Sequence, residues 1–109
     1  MAYDENLARR IRAELGPMPG LVEKKMFGGV CVLVQGNMAC GVHGDDLIVR
    51  VGPERYEETL ARPDTKLFDL TGRPMSGWIM VTPAGVAGNA ELAAWVRMGV
   101  EFALSLPAK

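Results

Sequence analysis

Lys24 to Val42, KKMFGGVCVLVQGNMACGV, hold a glycine pair, two cysteines and a run of valines within nineteen positions. Two readings compete for this stretch: a redox or anion-binding loop, and a β-hairpin. Local chemistry favours the hairpin. VCVLVQ and MACGVH are short β-type runs separated by Gly36-Asn37, and a two-residue turn of that composition accepts positive φ and matches the right-handed twist of paired strands. With this turn Gln35 faces Met38, Leu33 faces Cys40 and Cys31 faces Val42, so both cysteines lie on one face beside Leu33, Val42, Leu47 and Val49. The two cysteines are then diagonal neighbours at roughly 7–8 Å, beyond the about 4.4–6.8 Å that separates the Cα atoms of a disulfide. A three-residue turn sends them to opposite faces instead. Both registers predict free thiols acting as small apolar side chains.

In the two-residue register the other face carries Val30, Val32, Val34, Ala39 and Ile48, with His43 and Arg50 as its main polar members. A sheet with one wetted face shows a polar set there. The apolar set predicts an exposed strip of Val30, Val32, Val34 and Ile48, with Arg50, covered by a second copy in a homodimer or by another protein partner.

Gly28-Gly29 beside Lys24 and Lys25 raises the question of a bound anion. A phosphate loop needs a longer glycine-rich run ending in Gly-Lys-Ser or Gly-Lys-Thr before a helix, and a dinucleotide fingerprint needs three spaced glycines. A bend between strands, where glycine accepts positive φ, accounts for the pair more simply.

Outward from the hairpin, element types alternate without repeats. DENLARRIRAEL (4–15) places Leu7, Ala8, Ile11 and Leu15 on one helical stripe, with Asp4 as N-cap and Gly16-Pro17 as the stop. VEKKMF precedes the hairpin, and Gly44-Asp45 turns the chain into DLIVRV. PERYEETLA follows as a short helix, KLFDL and GWIMV as strands around TGRPMSG, and a long helix from about 90 to 105 closes the chain, capped by Asn89. Leu92, Trp95, Val96, Phe102 and Leu106 fall on or near one stripe of that helix. The order is α-β-β-β-β-α-β-β-α. The sheet has five or six strands, depending on whether the first stays separate or merges with the second across Gly28-Gly29.

At 109 residues and 49% hydrophobic, the chain is sized for one domain over 1–109. Its 12 basic and 13 acidic residues give a net charge of -1, which creates no global field toward nucleic acid or an anionic membrane. The polar start MAYDENLARR is unlike a signal peptide, and no apolar run reaches membrane-spanning length, so a cytoplasmic location is expected.

KKMFGG, the hairpin with Gly36-Asn37 at its tip, DDLIVRV, GRPMSGWIMV and ELAAWVRMGVEFA occur in an order that resembles the TfoX N-terminal domain family, associated with regulation of bacterial competence. The basic-Met-Phe-Gly-Gly segment at Lys24 to Gly29 is its most specific piece. The resemblance implies an α+β fold like that of secretion chaperones, an antiparallel sheet with flanking helices, and no established reaction. It implies that the second, helical domain of full-length competence regulators is missing from 1–109. Val30 and Cys31 stand where family members often carry aromatics.

Individual residues point to no complete reaction centre. His43 lies beside Asp45 and Asp46 in a tight turn, where metal chemistry would need three or four converging ligands. Ser76 and Ser105 lack a nucleophile motif. No metal or cofactor is expected. The leading expectation is a non-enzymatic regulatory or protein-interaction module. One alternative is a nucleic-acid-associated regulator using Arg9, Arg10, Arg12, Lys24 and Lys25, favoured if those side chains cluster on one face. The other is a small-ligand binder or enzyme around Arg73 and Trp78 with His43, favoured if they converge on a pocket.

Overall fold

The computed structural model describes residues 3–26, 28–68 and 76–108. Asp4 caps α1 (Glu5–Leu15) by accepting from the backbone N–H groups of Asn6 at 2.9 Å and Leu7 at 3.1 Å. Gly16, at φ +60°, ends the helix where an L side chain would be strained. Leu7, Ala8 and Ile11 form its buried stripe, as their spacing predicts.

Six strands follow: β1 (Leu21–Met26), β2 (Gly29–Val34), β3 (Asn37–His43), β4 (Asp46–Arg50), β5 (Thr65–Leu67) and β6 (Trp78–Val81). They form one antiparallel sheet in the order β1-β2-β3-β4-β6-β5. Between β4 and β5 lies α2 (Tyr56–Leu60), and after β6 a 3₁₀ turn at Pro83–Val86, which the sequence reading did not anticipate, leads to α3 (Asn89–Ser105). The α+β class and the element order agree with expectation, and β1 stays separate. The N-cap of α3 is Gly88 instead of Asn89, whose Oδ1 accepts from Arg10 at 3.2 Å. Of the expected KLFDL strand, Lys66 and Leu67 lie in β5, while 69–75 lie outside the described residues.

The glycine pair has two local causes. Gly28 sits at φ +74° where β1 turns into β2, and a Cβ on Gly29 would collide with the carbonyl of Val42. This pair is a strand turn packed against β3.

The hairpin turn is one residue earlier than expected. Gln35 and Gly36, at φ +53° and +85°, form it, so Val34 pairs with Asn37 and Leu33 with Met38. A bulge between Val32 and Leu33 then shifts the register, pairing Val32 with Cys40, Cys31 with Gly41 and Val30 with Val42. A one-residue shift reverses faces, which corrects the expectation that both cysteines share one. Cys40 lies with Val30, Val32, Val34, Val42, Leu47 and Val49, while Cys31 lies with Met38, Ile48, Phe68 and Met80.

The exposed strip is corrected with it. Val30, Val32 and Val34 are buried beneath α1 and α3 in the same core as Leu92, Trp95, Val96 and Val100. These valines form an intramolecular core, in which a fully buried aliphatic side chain contributes about 1.5–3 kcal/mol. Ile48 belongs to the other face and is also buried, among Cys31, Met38, Phe68 and Met80, with Leu33 and Trp78 at its margin. Arg50 is half-buried.

Gly99 sets how close α3 comes. A Cβ there would collide with the carbonyl oxygen of Ala39 and lie 3.0 Å from its carbonyl carbon, so the helix rests directly on the bulged strand. Asn37, 2% exposed, donates from Nδ2 to the Pro107 carbonyl at 2.9 Å and ties the chain after α3 to the hairpin. Among the described residues no helix is long and apolar enough to cross a membrane.

Candidate recognition groove beside Arg50

The buried stripe of α3 is Leu92, Trp95, Val96, Gly99, Val100 and Ala103, which leaves Phe102 on its flank. From there the Phe102 ring reaches the chain leaving β4. Gly52, at φ +87°, makes room for it: a Cβ would lie 2.5 Å from one ring carbon and 2.6 Å from the next. Arg50, the last residue of β4, pairs across the ladder with Trp78. Its guanidinium carbon lies 5.0 Å from the Trp78 ring centroid and 5.2 Å from that of Phe102. The backbone is fixed just beyond, where the N–H groups of Val51 and Gly52 donate to the Gly77 carbonyl at 2.8 and 3.0 Å.

Two adjoining hollows of about 190 and 410 Å³ open beside this arrangement and share Val51, Arg55, Phe102 and Ser105 in their walls. Met98 and Glu101 extend the smaller, Gly52, Pro53 and Glu54 the larger. Ser105 Oγ donates to the Phe102 carbonyl at 2.6 Å. Among the described residues Arg50 has no carboxylate within ion-pair distance; the two ion pairs there are Arg12 with Glu23 and Lys66 with Asp46, each at 2.7 Å. Partial burial holds the Arg50 guanidinium below its ordinary pKa.

The expected site residues separate. Trp78 stacks with the Arg50 guanidinium, and neither residue lines the two hollows; Arg73 lies outside the described residues. His43 pairs with Asp46 at the far end of β4, where Asp46 is engaged by Lys66. The neighbouring Gly44 carbonyl accepts from Asp4 N–H at 2.8 Å, pinning the start of α1 to this turn. Among the described residues no group of three His, Cys, Asp or Glu is placed to hold a metal ion. Ser76 is exposed.

The basic residues are not one free patch. Arg10 donates to the Val86 carbonyl at 2.7 Å and to Asn89, joining α1 to α3. Arg12 is paired with Glu23, and that hydrogen bond raises its pKa. Lys24, opposite Cys31, is on the other sheet face from Lys25, which is opposite Val30. Arg9 is exposed. Both cysteines are free and buried, and burial pushes their thiols up, Cys40 to about 12 with a smaller push from Cys31. At neutral pH they are protonated and unreactive.

Sequence reasoning missed the groove because it assigned Phe102 to the core stripe. The available signals were Gly52 after the β4 arginine and the strict spacing of the other α3 residues.

A six-stranded open antiparallel sheet with helices on one face, closed by a long C-terminal helix, defines the class as an α+β module of the TfoX N-terminal type. The chain belongs to the TfoX N-terminal domain family, which it matches over residues 13–103, from the last turn of α1 through all six strands to α3. No curated protein matches it significantly.

Proposed function

We propose that the chain is a cytoplasmic regulatory module that acts by binding a protein partner, in the control of competence or transcription with which the family is associated. The observation that carries this reading is the outer edge of β1. Among the described residues β1 pairs only with β2, so its outward N–H and C=O groups are a template for an added strand. Val22, 48% exposed and opposite the half-buried Leu33, gives such a strand an apolar anchor. Lys24 and Lys25, both exposed, favour acidic residues on the partner. Two features support binding over catalysis: the thiols are buried and protonated, and His43 belongs to a turn that anchors α1.

Affinity purification from native cells tests this with the wild-type chain and Val22→Asp. The expected result is one partner recovered near stoichiometry with the wild type and lost with the variant, whose melting curve stays unchanged because an exposed substitution alters stability by within about 0.5 kcal/mol. Recovery of the same partner by both chains, or of none, contradicts the proposal. A second copy adding its own β1 is the homodimeric form of this contact, read by light scattering of the purified chain.

A further inference from the structure

We propose, resting on strand addition at the β1 edge, that the added strand is β1 of a second copy of this chain, the two running antiparallel about a two-fold axis at Lys24.

The backbone fixes which groups are free. Gln35 N–H donates to the Gly20 carbonyl at 2.9 Å, one step beyond the pairing of Leu21 with Val34. Backbone groups alternate sides along a strand, so those of Val22 and Lys24 point at β2, as that of Gly20 does, and those of Leu21, Glu23 and Lys25 point outward. The Leu21 N–H is already taken by the Met18 carbonyl at 3.2 Å. Among the described residues, Glu23 and Lys25 therefore hold the open N–H and C=O groups of this edge.

Their side chains are oppositely charged, exposed and on the same face, opposite Val32 and Val30. With the axis at Lys24, Glu23 of each copy faces Lys25 of the other, in pairs that exchange backbone hydrogen bonds in both directions. Glu23, engaged by Arg12 at 2.7 Å, keeps acceptor sites for a second cation. Neighbouring registers are worse. An axis at Glu23 or at Lys25 sets that charge against itself, and one at Val22 places Pro19, which has no N–H, against Lys25. With the axis at Lys24 the like-charge pair is Lys24 with itself, on the opposite face, where it is exposed and screened by salt. A uniformly acidic segment would instead set a carboxylate against Glu23. The strand thus answers its own charge pattern, and a net charge of -1 leaves little repulsion between copies.

Three measurements on the purified chain test this. Sedimentation equilibrium of the wild type, from about 10 to 500 µM, should show a monomer–dimer equilibrium. Glu23→Lys and Lys25→Glu should each weaken dimerisation about tenfold or more. Mixing the two should restore a dimer containing one of each, because lysines at 23 and 25 then face glutamates at 25 and 23. Lys24→Cys should form a disulfide between copies on mild oxidation, since directly opposed residues there have Cα atoms about 4.5 Å apart. Val22→Cys should not, being about 14 Å from its counterpart, and the native cysteines are buried. A wild type that is monomeric throughout, mixing that restores no dimer, or a disulfide that does not favour position 24 over 22 overturns the proposal. The wild-type mass decides even if a variant fails to fold. A monomeric wild type that still gives a foreign protein adduct from position 22 in cells ends self-pairing and leaves strand addition standing, whereas no adduct of any kind from position 22 removes both.

Discussion

Replacing Gly99 with alanine separates the close seating of α3 from ordinary helix propensity, because the two predict opposite signs. In an exposed helix interior, Gly→Ala stabilises by about 1 kcal/mol. Here the new methyl meets backbone, colliding with the Ala39 carbonyl oxygen and lying 3.0 Å from its carbon. Neither atom can rotate away, since Ala39 is part of β3 at the bulge. The helix must lift off by about 1 Å, and a gap of that size forfeits a quarter to a half of each affected dispersion contact. The losses fall on Trp95, Val96, Val100 and Ala103, which are buried beneath the same helix. Overpacking costs about 1–3 kcal/mol, and a rigid backbone wall places this site at the upper end. After the propensity gain, a net loss of about 2 kcal/mol remains, a melting point lower by roughly 10 °C for a domain of this size. Urea and thermal unfolding followed by circular dichroism measure it, with Ala94→Gly on the exposed side of α3 as the propensity control. An unchanged or higher melting point for Gly99→Ala would refute the seating of α3 on Ala39.

Val32→Glu combined with Val34→Lys should unfold the chain, because unpaired charges in an apolar core cost several kcal/mol against a total stability of about 5–15; a native-like spectrum with a lower light-scattering mass would instead restore an exposed strip. Cys40 titrates near 12 in the fold against an ordinary 9.0, so its contribution is complete below pH 9 and falls by about 1.4 kcal/mol per unit as pH rises from 9 toward 12, where the unfolded thiol ionises first. Urea midpoints from pH 8 to 11 should fall more steeply for the wild type than for Cys40→Ala, and parallel slopes would contradict this burial. Asn37→Ala should cost about 1–3 kcal/mol and raise hydrogen exchange after residue 105, since its Nδ2 holds the Pro107 carbonyl; unchanged exchange there would show that the tether is idle.

The helices and their order were legible because their signals are local: Asp4 as a cap, the spacing of Leu7, Ala8 and Ile11, and glycines where the chain reverses. The hairpin register was not. Asparagine is a better turn residue than glutamine, so Gly36-Asn37 was the natural choice, yet Asn37 is withdrawn from the turn by a hydrogen bond to Pro107, seventy positions away. Gln35 takes the left-handed position instead, and the bulge after Val32 adds a second shift. That one-residue difference moved the cysteines to opposite faces and turned the valine strip from an interface into a core. The groove depends on where α3 docks, so Phe102 and Arg50 meet only once Gly99 and Gly52 have set two close approaches. No spacing within either segment contains that meeting.

Val22 and Leu104 are nearly equal in exposure, at 48% and 49%, one on the β1 edge and the other on α3. Placing a photo-crosslinking amino acid at each position in turn, in native cells, therefore compares the proposed contact edge with a surface of matched accessibility. Strand addition to β1 predicts one discrete protein adduct from position 22 and only a diffuse background from position 104. Equal, diffuse labelling from both positions would contradict the claim that this module acts through its β1 edge.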